Sequence, residues 1–451
     1  MALLCTFTQS LLADTAEIEQ ATTASSNSPR APTLIEDSSA FEEWAIHGQF
    51  TNVTQRHPRF TSPYAGQNSL IANGRTEETS DLTLYAGTRL WRGTELWVNP
   101  EVDQGFGLSN TVGLAGFSSG EAYKIGANTP YLRVPRAFIR QVISLGESEE
   151  KVTSAANQLA GSRSADNVTL TVGKFSVTDI FDTNHYAHDP RSDFLNWSVI
   201  DAGAFDYAAD AWGFTYGAAL EWARSTWTMR GGIFQLSKIP NGKVTGVDFS
   251  QFMLVGELEK RYEWQHHPGK IKFLGFANRG RMANYRDALD LAKPTNDIPD
   301  VSLVRRYNWR PGGSINVEQE LASDLGAFVR VSLNDGSKEA YEFTEINRSL
   351  STGLVLKGDR WGRKNDTFGI AAVINELSGD AQGYFEAGGI GILIGDGKLR
   401  YGPEKIAEVY YSVALNSHLT FSLNYQHVND PAYNRDRGPV SIFGLRAHAE
   451  F

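Results

Sequence analysis

The chain has 451 residues, a formal net charge of -10, a mean hydropathy of -0.32 and one cysteine, Cys5. The acidic balance argues against a nucleic-acid partner, and a lone cysteine excludes an intramolecular disulfide and any cysteine metal or nucleophile site in the body of the chain. No run of about 18 apolar residues exists to cross a bilayer as a helix. Residues 1–16, MALLCTFTQSLLADTA, read as an export-signal remnant that lacks its basic start, because no Lys or Arg precedes Arg30. Residues 17–43 are rich in Ala, Thr, Ser, Pro and Glu without periodicity, and read as a flexible periplasmic segment. Alternation begins at Trp44 and defines a single domain over 44–451.

From there the chain repeats one pattern, apolar on one parity and polar on the other, which marks a strand between an apolar medium and water. In WAIHGQFTNVTQ, Trp44, Ile46 and Phe50 oppose His47, Gln49, Thr51 and Gln55. Leu82, Leu84, Ala86 and Leu90 oppose Asp81, Thr83, Tyr85 and Arg89; after an Arg92-Gly93 turn, Leu96, Val98 and Val102 oppose Glu95, Asn99, Glu101 and Asp103. Strands are expected near 133–145 and 167–175. WGFTYGAALEW then places Trp212, Phe214, Tyr216, Leu220 and Trp222 on one face, as a membrane girdle would. Further strands follow near 249–262, 269–281, 312–322, 324–335, 349–358, 367–376, 404–415 and 418–429. The last, VSIFGLRAHAEF, puts Phe443, Leu445, Ala447, Ala449 and Phe451 on one parity and Arg446, His448 and Glu450 on the other. The expected fold is all-β: a transmembrane antiparallel barrel of about sixteen strands. Gaps alternate between long and tight, as loops and periplasmic turns of an outer-membrane barrel do. The gap at 146–166 breaks this rule, being long where a turn is due.

Several stretches look like one family. WAIHGQFTNVTQ at 44–55, VGKFSVTDIFDTNHYAHDPRSDFLNWSVIDAGAFDYAADAWGFTYG at 172–217 and YNWRPGGSINVEQEL at 307–321 resemble the OprB-type carbohydrate-selective porins of Gram-negative bacteria. So do GGIGILIGDGKLRYGPEKIAEVYYS at 388–412 and DPAYNRDRGPV at 430–440, the latter with Asp430 where Asn is expected. The resemblance implies an outer-membrane barrel that passes mono- or small oligosaccharides by diffusion through an eyelet with prominent arginines. It implies no enzyme activity and no cofactor. The alternatives are a general or anion-preferring porin, or an outer-membrane barrel enzyme. Implied partners are carbohydrates, outer-membrane lipid and lipopolysaccharide, and the barrel-assembly machinery through the strand ending in Phe451. The barrel is expected as a monomer or homotrimer.

Two groups of residues are candidates for pore lining and substrate binding. The long loop at 176–210, expected to fold inward, supplies Asp182, Asn184, Asp189, Asp193, Asn196 and Trp197: donors and acceptors for hydroxyls and an aromatic face for the C–H side of a sugar ring. Inward parities of the strands supply Arg89, Glu95, Glu101, Arg136, Arg140, Arg230, Glu318 and Arg330, where opposed charges form a transverse field. The spacing of the loop's Asp and His residues matches no known metal loop. GGIGILIGDG lacks the Gly-Lys-Ser/Thr of a phosphate cradle and reads as tight packing within a loop.

Overall fold

The computed structural model describes residues 41–122, 126–147, 149–343 and 345–451; the segments 1–16 and 17–40 lie outside these. Along the described chain run β1 (Trp44–His57), β2 (Arg75–Trp91), β3 (Thr94–Gly105), β4 (Ala127–Ser144), β5 (Glu149–Val152), β6 (Gly161–Ser164), β7 (Asn167–Phe175), β8 (Thr215–Arg224) and β9 (Trp227–Gln235). They are followed by β10 (Phe252–Trp264), β11 (His267–Met282), β12 (Arg306–Ala322), β13 (Leu325–Asn334), β14 (Arg348–Lys357), β15 (Thr367–Glu376), β16 (Glu404–Ala414), β17 (Leu419–Asn429) and β18 (Val440–Glu450). All but β5 and β6 form one closed antiparallel ring, sixteen strands around, each paired with its neighbour in sequence. β18 returns to β1 in register from Gln49↔Glu450 to Arg56↔Phe443. Closure pairs every edge, the condition a sheet must meet to lie in hydrocarbon.

The alternation read from the sequence is the alternation of the wall. In β17, Phe421, Leu423 and Tyr425 are exposed while Ser422, Asn424 and Gln426 are buried inside. Exposed tryptophans mark the short-turn rim at Trp44, Trp91, Trp222, Trp227, Trp264 and Trp361, and Tyr307, Trp309, Tyr425 and Phe443 mark the long-loop rim. Such belts sit at headgroup level.

Three expectations shift. β4 and β12 begin at Ala127 and Arg306, earlier than 133 and 312. In β12 the run Pro311-Gly312-Gly313 reads as a turn yet pairs within the ladder. In β4 a bulge hides the period: Asn99 pairs with Arg136 but Glu101 pairs with Arg133, so Val134 and Pro135 together oppose Pro100. Trp212 and Phe214 are not on the lipid girdle. β8 starts only at Thr215, and both rings turn into the barrel. The long gap at 146–166 is a folded insertion, in which β5 and β6 form a separate hairpin.

The lipid face is testable at Leu423, which is 66% exposed. Leu423→Arg should cost roughly 2–4 kcal/mol in assembly, read as loss of the heat-modifiable folded band, while Leu423→Phe assembles normally. Equal assembly of both would place this face out of the bilayer.

Candidate functional site

The interior begins with a shelf of aromatics. Trp97, Phe138, Phe234, Phe276, Phe328 and Tyr410 point inward and are buried. Their in-register neighbours are glycines: Gly87, Gly173, Gly217, Gly312, Gly353 and Gly369. A methyl at Gly87 or Gly369 would fall 2.5 Å from the Trp97 ring or 2.2 Å from the Tyr410 ring. The rings therefore lie on the neighbouring strand because it has no side chain there. The loop 176–214 sets its own aromatics on this shelf. Phe181 meets Phe234 edge-on at 6.0 Å, Phe205 meets Phe276 at 5.1 Å, and Phe194 meets both Phe328 (5.8 Å) and Tyr410 (4.9 Å). Each such burial contributes about 1.5–3 kcal/mol.

Polar pins complete the seat. Wall carboxylates accept from loop backbone N–H groups: Glu257 from Asp182 (2.8 Å), Glu318 from His185 (2.7 Å), and Glu408 from Leu195 and Asn196 (2.6 and 3.0 Å). Wall arginines donate to loop carbonyls. Arg330 reaches Val199, Asp182 and Ala187 (2.9, 3.1 and 2.8 Å), and Arg446 reaches Pro190, Asp193 and Ser192 (2.6, 2.8 and 2.9 Å). Arg310 pairs with Asp206. The loop is thus fastened to the arc of wall from β9 to β18. A second loop segment, 106–122, rides on it: Asn196 donates to Gly116 O (3.0 Å), and Glu404 accepts from Ala115 and Gly116 N–H (3.0 and 2.7 Å).

The opposite wall, β2 to β4, carries the charges left facing the passage. Arg133 pairs with Glu101 and Asp103. Arg191, from the loop, faces Asp81 (3.3 Å), Glu101 (3.8 Å) and Glu121 (3.2 Å). Arg136 makes a bidentate pair with Asp179 at 2.8 and 2.7 Å. Burial works against the Asp179 carboxylate, but the charge and hydrogen bonds of Arg136, with the Ser176 N–H, hold it below its ordinary value. The Phe214 ring lies under both guanidinium groups, 5.1 Å from Arg133 and 4.8 Å from Arg136. Trp212 donates to the Tyr131 hydroxyl at 3.0 Å. Asp81, Glu101, Arg133, Arg191, Trp212 and Phe214 line a narrow cavity of about 110 Å³, and the Arg136–Asp179 pair adjoins it across the Phe214 ring.

The structure separates the sequence candidates into three places. Glu101 lines this cavity, Arg136 adjoins it over the Phe214 ring, and Asp189 supports it by accepting from the Arg191 N–H (2.9 Å). Asp182, Asn184, Asp193, Asn196, Glu318 and Arg330 are instead spent within the loop or between loop and wall: Arg330 is 1% exposed and Asn184 donates to Asn316. Trp197 also lines this cavity, 5% exposed, with the Phe117 and Phe343 rings stacked on it at 5.1 and 4.8 Å. Arg230 is held among Glu221, Glu257 and Glu259. Arg89, Glu95 and Arg140 lie toward the short-turn rim. Arg133 escaped the sequence reading because the bulge at Val134-Pro135 gives it the parity of a lipid-facing residue. Trp212 and Phe214 escaped it because they were assigned to β8. Asp81 and Asp103 were legible as inward by parity, and Asp179 and Arg191 as loop residues.

The family model described as "Carbohydrate-selective porin, OprB family" matches residues 67–451. The chain belongs to the OprB family of carbohydrate-selective porins. It is therefore an outer-membrane channel for carbohydrates and not an enzyme, and the barrel-enzyme alternative falls. A high-pH structure of OprB from Pseudomonas putida shares the fold, with a TM-score of 0.70 at 14% identity, covering 91% of this chain and 94% of that one. A low-pH structure of the same protein gives 0.50 at 10% identity, covering 91% and 93%. No curated protein sequence matches the chain significantly.

Two outcomes follow from the pinned loops of this porin. Arg330→Met leaves three loop carbonyls without their donor, at a cost of about 3–5 kcal/mol. It should expose 176–214 to protease and raise open-channel noise; unchanged cleavage would mean that Arg330 does not hold the loop. The second concerns Glu345 in the loop 335–347, whose carboxylate accepts from the Leu393 N–H at 3.4 Å. Burial pushes this carboxyl up to about 7 from 4.5, against the N–H groups of Ile392 and Leu393. Between those values the folded carboxyl holds a proton that the free side chain has lost. Its contribution is therefore complete below 4.5 and is lost as the pH rises through 7. Cleavage within 377–403 should be slower at pH 5 than at pH 8, and Glu345→Gln should abolish the difference.

Proposed function

We propose that sugars cross this porin along the β2–β4 wall, with Arg133, Arg136 and Arg191 as donors and Asp81, Glu101 and Asp179 as acceptors. The observation that carries this reading is the cavity in which opposed charges stand beside the Trp212 and Phe214 rings. Guanidinium forks and carboxylates match sugar hydroxyls, and ring faces match the C–H side of a pyranose. Each fork is already engaged by a carboxylate, so a hydroxyl replaces one of several contacts and leaves readily, as fast passage demands. The long-loop rim faces outward, by the loop asymmetry of outer-membrane barrels. The strand β18 with the following Phe451, which exchanges backbone hydrogen bonds with Gly48 at 2.9 and 2.7 Å, is the segment offered to the barrel-assembly machinery.

The test is Arg136→Ala in planar bilayers. Removing one fixed positive charge should shift the reversal potential in a salt gradient away from anions and weaken glucose block of the ion current about three- to tenfold. Block and reversal potential both equal to wild type would place the sugar path elsewhere.

A further inference from the structure

The insertion at 145–166 is the one long connection on the short-turn rim among the described residues, and it does not hang free. Leu159 is 1% exposed and joins the interior cluster that holds Trp97 and Phe138. Arg89 donates to the carbonyls of Glu42 (3.0 Å) and Ala160 (3.1 Å), and Arg140 to that of Asn157 (2.7 Å). The Ala160 N–H donates to the Glu42 carboxylate at 2.7 Å. The insertion therefore reaches up into the lumen and is bolted to its wall.

Between insertion and wall lies a cavity of about 470 Å³, within the roughly 300–1,000 Å³ of small-molecule sites. Its lining holds four arginines, Arg89, Arg92, Arg140 and Arg163, against two carboxylates, Glu95 and Glu147. Arg89 and Arg140 are positioned by their carbonyl bonds, and Arg89 also lies over the Phe41 ring at 4.1 Å. Arg92 and Arg163 are exposed and make no side-chain hydrogen bond or ion pair among the described residues. Two cations are thus fixed and two have donors to spare, beside the Gln158 amide. The cavity lies further along the same wall, toward the short-turn rim. Glu95 and Arg140 pair in register just below Asn99 and Arg136, so Arg140 stands about 13 Å beyond Arg136 on the same strand.

We propose that this cavity is a second solute site, an exit vestibule that binds sugars carrying a carboxylate or phosphate. The proposal rests on the path along the β2–β4 wall. A lone surface arginine attracts an anion weakly, but clustered guanidinium groups in a concave, partly enclosed site focus the field and match an oxyanion with planar forks. The uncharged part of such a solute meets Gln158 and the apolar floor at Leu159. The vestibule retains acidic sugars, whereas a neutral sugar passes it with little delay.

The experiment is single-channel recording of the full porin with solute added from the short-turn side. Glucuronate, glucose and acetate are compared in wild type and in Arg92→Gln/Arg163→Gln, with assembly of both checked by heat-modifiable mobility. Both arginines are exposed, so the variant keeps its fold. Glucuronate should block wild type more strongly than glucose or acetate, and its block should weaken about fivefold in the variant. The glucose block, set at Arg136 and Arg191, serves as the reference. Undiminished glucuronate block in the variant, or acetate block as strong as glucuronate block in wild type, overturns the vestibule. Absence of glucose block in wild type would instead overturn the sugar path itself, so the two failures are distinct.

Discussion

The structure depends on the fastening of loop 176–214 to the inside of the barrel. A ring of sixteen strands is wide enough to leave a water-filled passage, and charged or polar side chains alone do not narrow it. Here the inner wall from β9 to β18 presents Phe234, Phe276, Phe328 and Tyr410 over glycines, with carboxylates and guanidinium groups between them. The loop answers with Phe181, Phe194 and Phe205 for the rings and with its own backbone N–H and carbonyl groups for the charges. Each buried charge thus finds several backbone partners, the condition under which burial of Arg330, Arg446 and Glu408 is tolerable.

This fastening divides the lumen. One half is packed as a protein core, and the other keeps the charged face of β2 to β4. The passage is therefore asymmetric in cross-section. Positive and negative groups meet across a short gap set by where Arg191 and Asp179 leave the loop. The same division explains why so many inward charges are buried: they anchor the loop to the wall. A rigid wall holding a loop at many points gives a fixed aperture, which a selective passive channel needs because it has no energy source to reset a moving one.

The barrel was legible because lipid imposes a strict rule. Nearly every second residue of Leu82–Leu90 (Thr88 excepted) and of Phe421–Tyr425 is apolar, and the period survives in the sequence. The interior obeys no such rule. A glutamate facing water and a glutamate accepting two loop N–H groups read alike, so Glu318 and Arg330 looked like pore lining until the loop was seen above them. Inward aromatics such as Trp97 and Tyr410 broke the apolar-out pattern and gave no hint of a shelf, because their glycine partners lie on other strands. Arg133 was lost to a single extra residue in β4. Arg136, Glu101 and Arg140 were legible as inward-facing because parity holds outside that bulge.

The claim that the loop is seated on the wall is tested most directly by locking it there. The Ala204 N–H donates to the Ser332 hydroxyl at 3.0 Å, so the two side chains are neighbours across the loop–wall junction. The Ala204→Cys/Ser332→Cys pair should form a disulfide on mild oxidation. Conductance and glucose block in single channels should then be the same oxidised and reduced, because the bond fixes a contact already made. A pair that fails to close, or whose closure changes the aperture, would contradict a loop resting on β13.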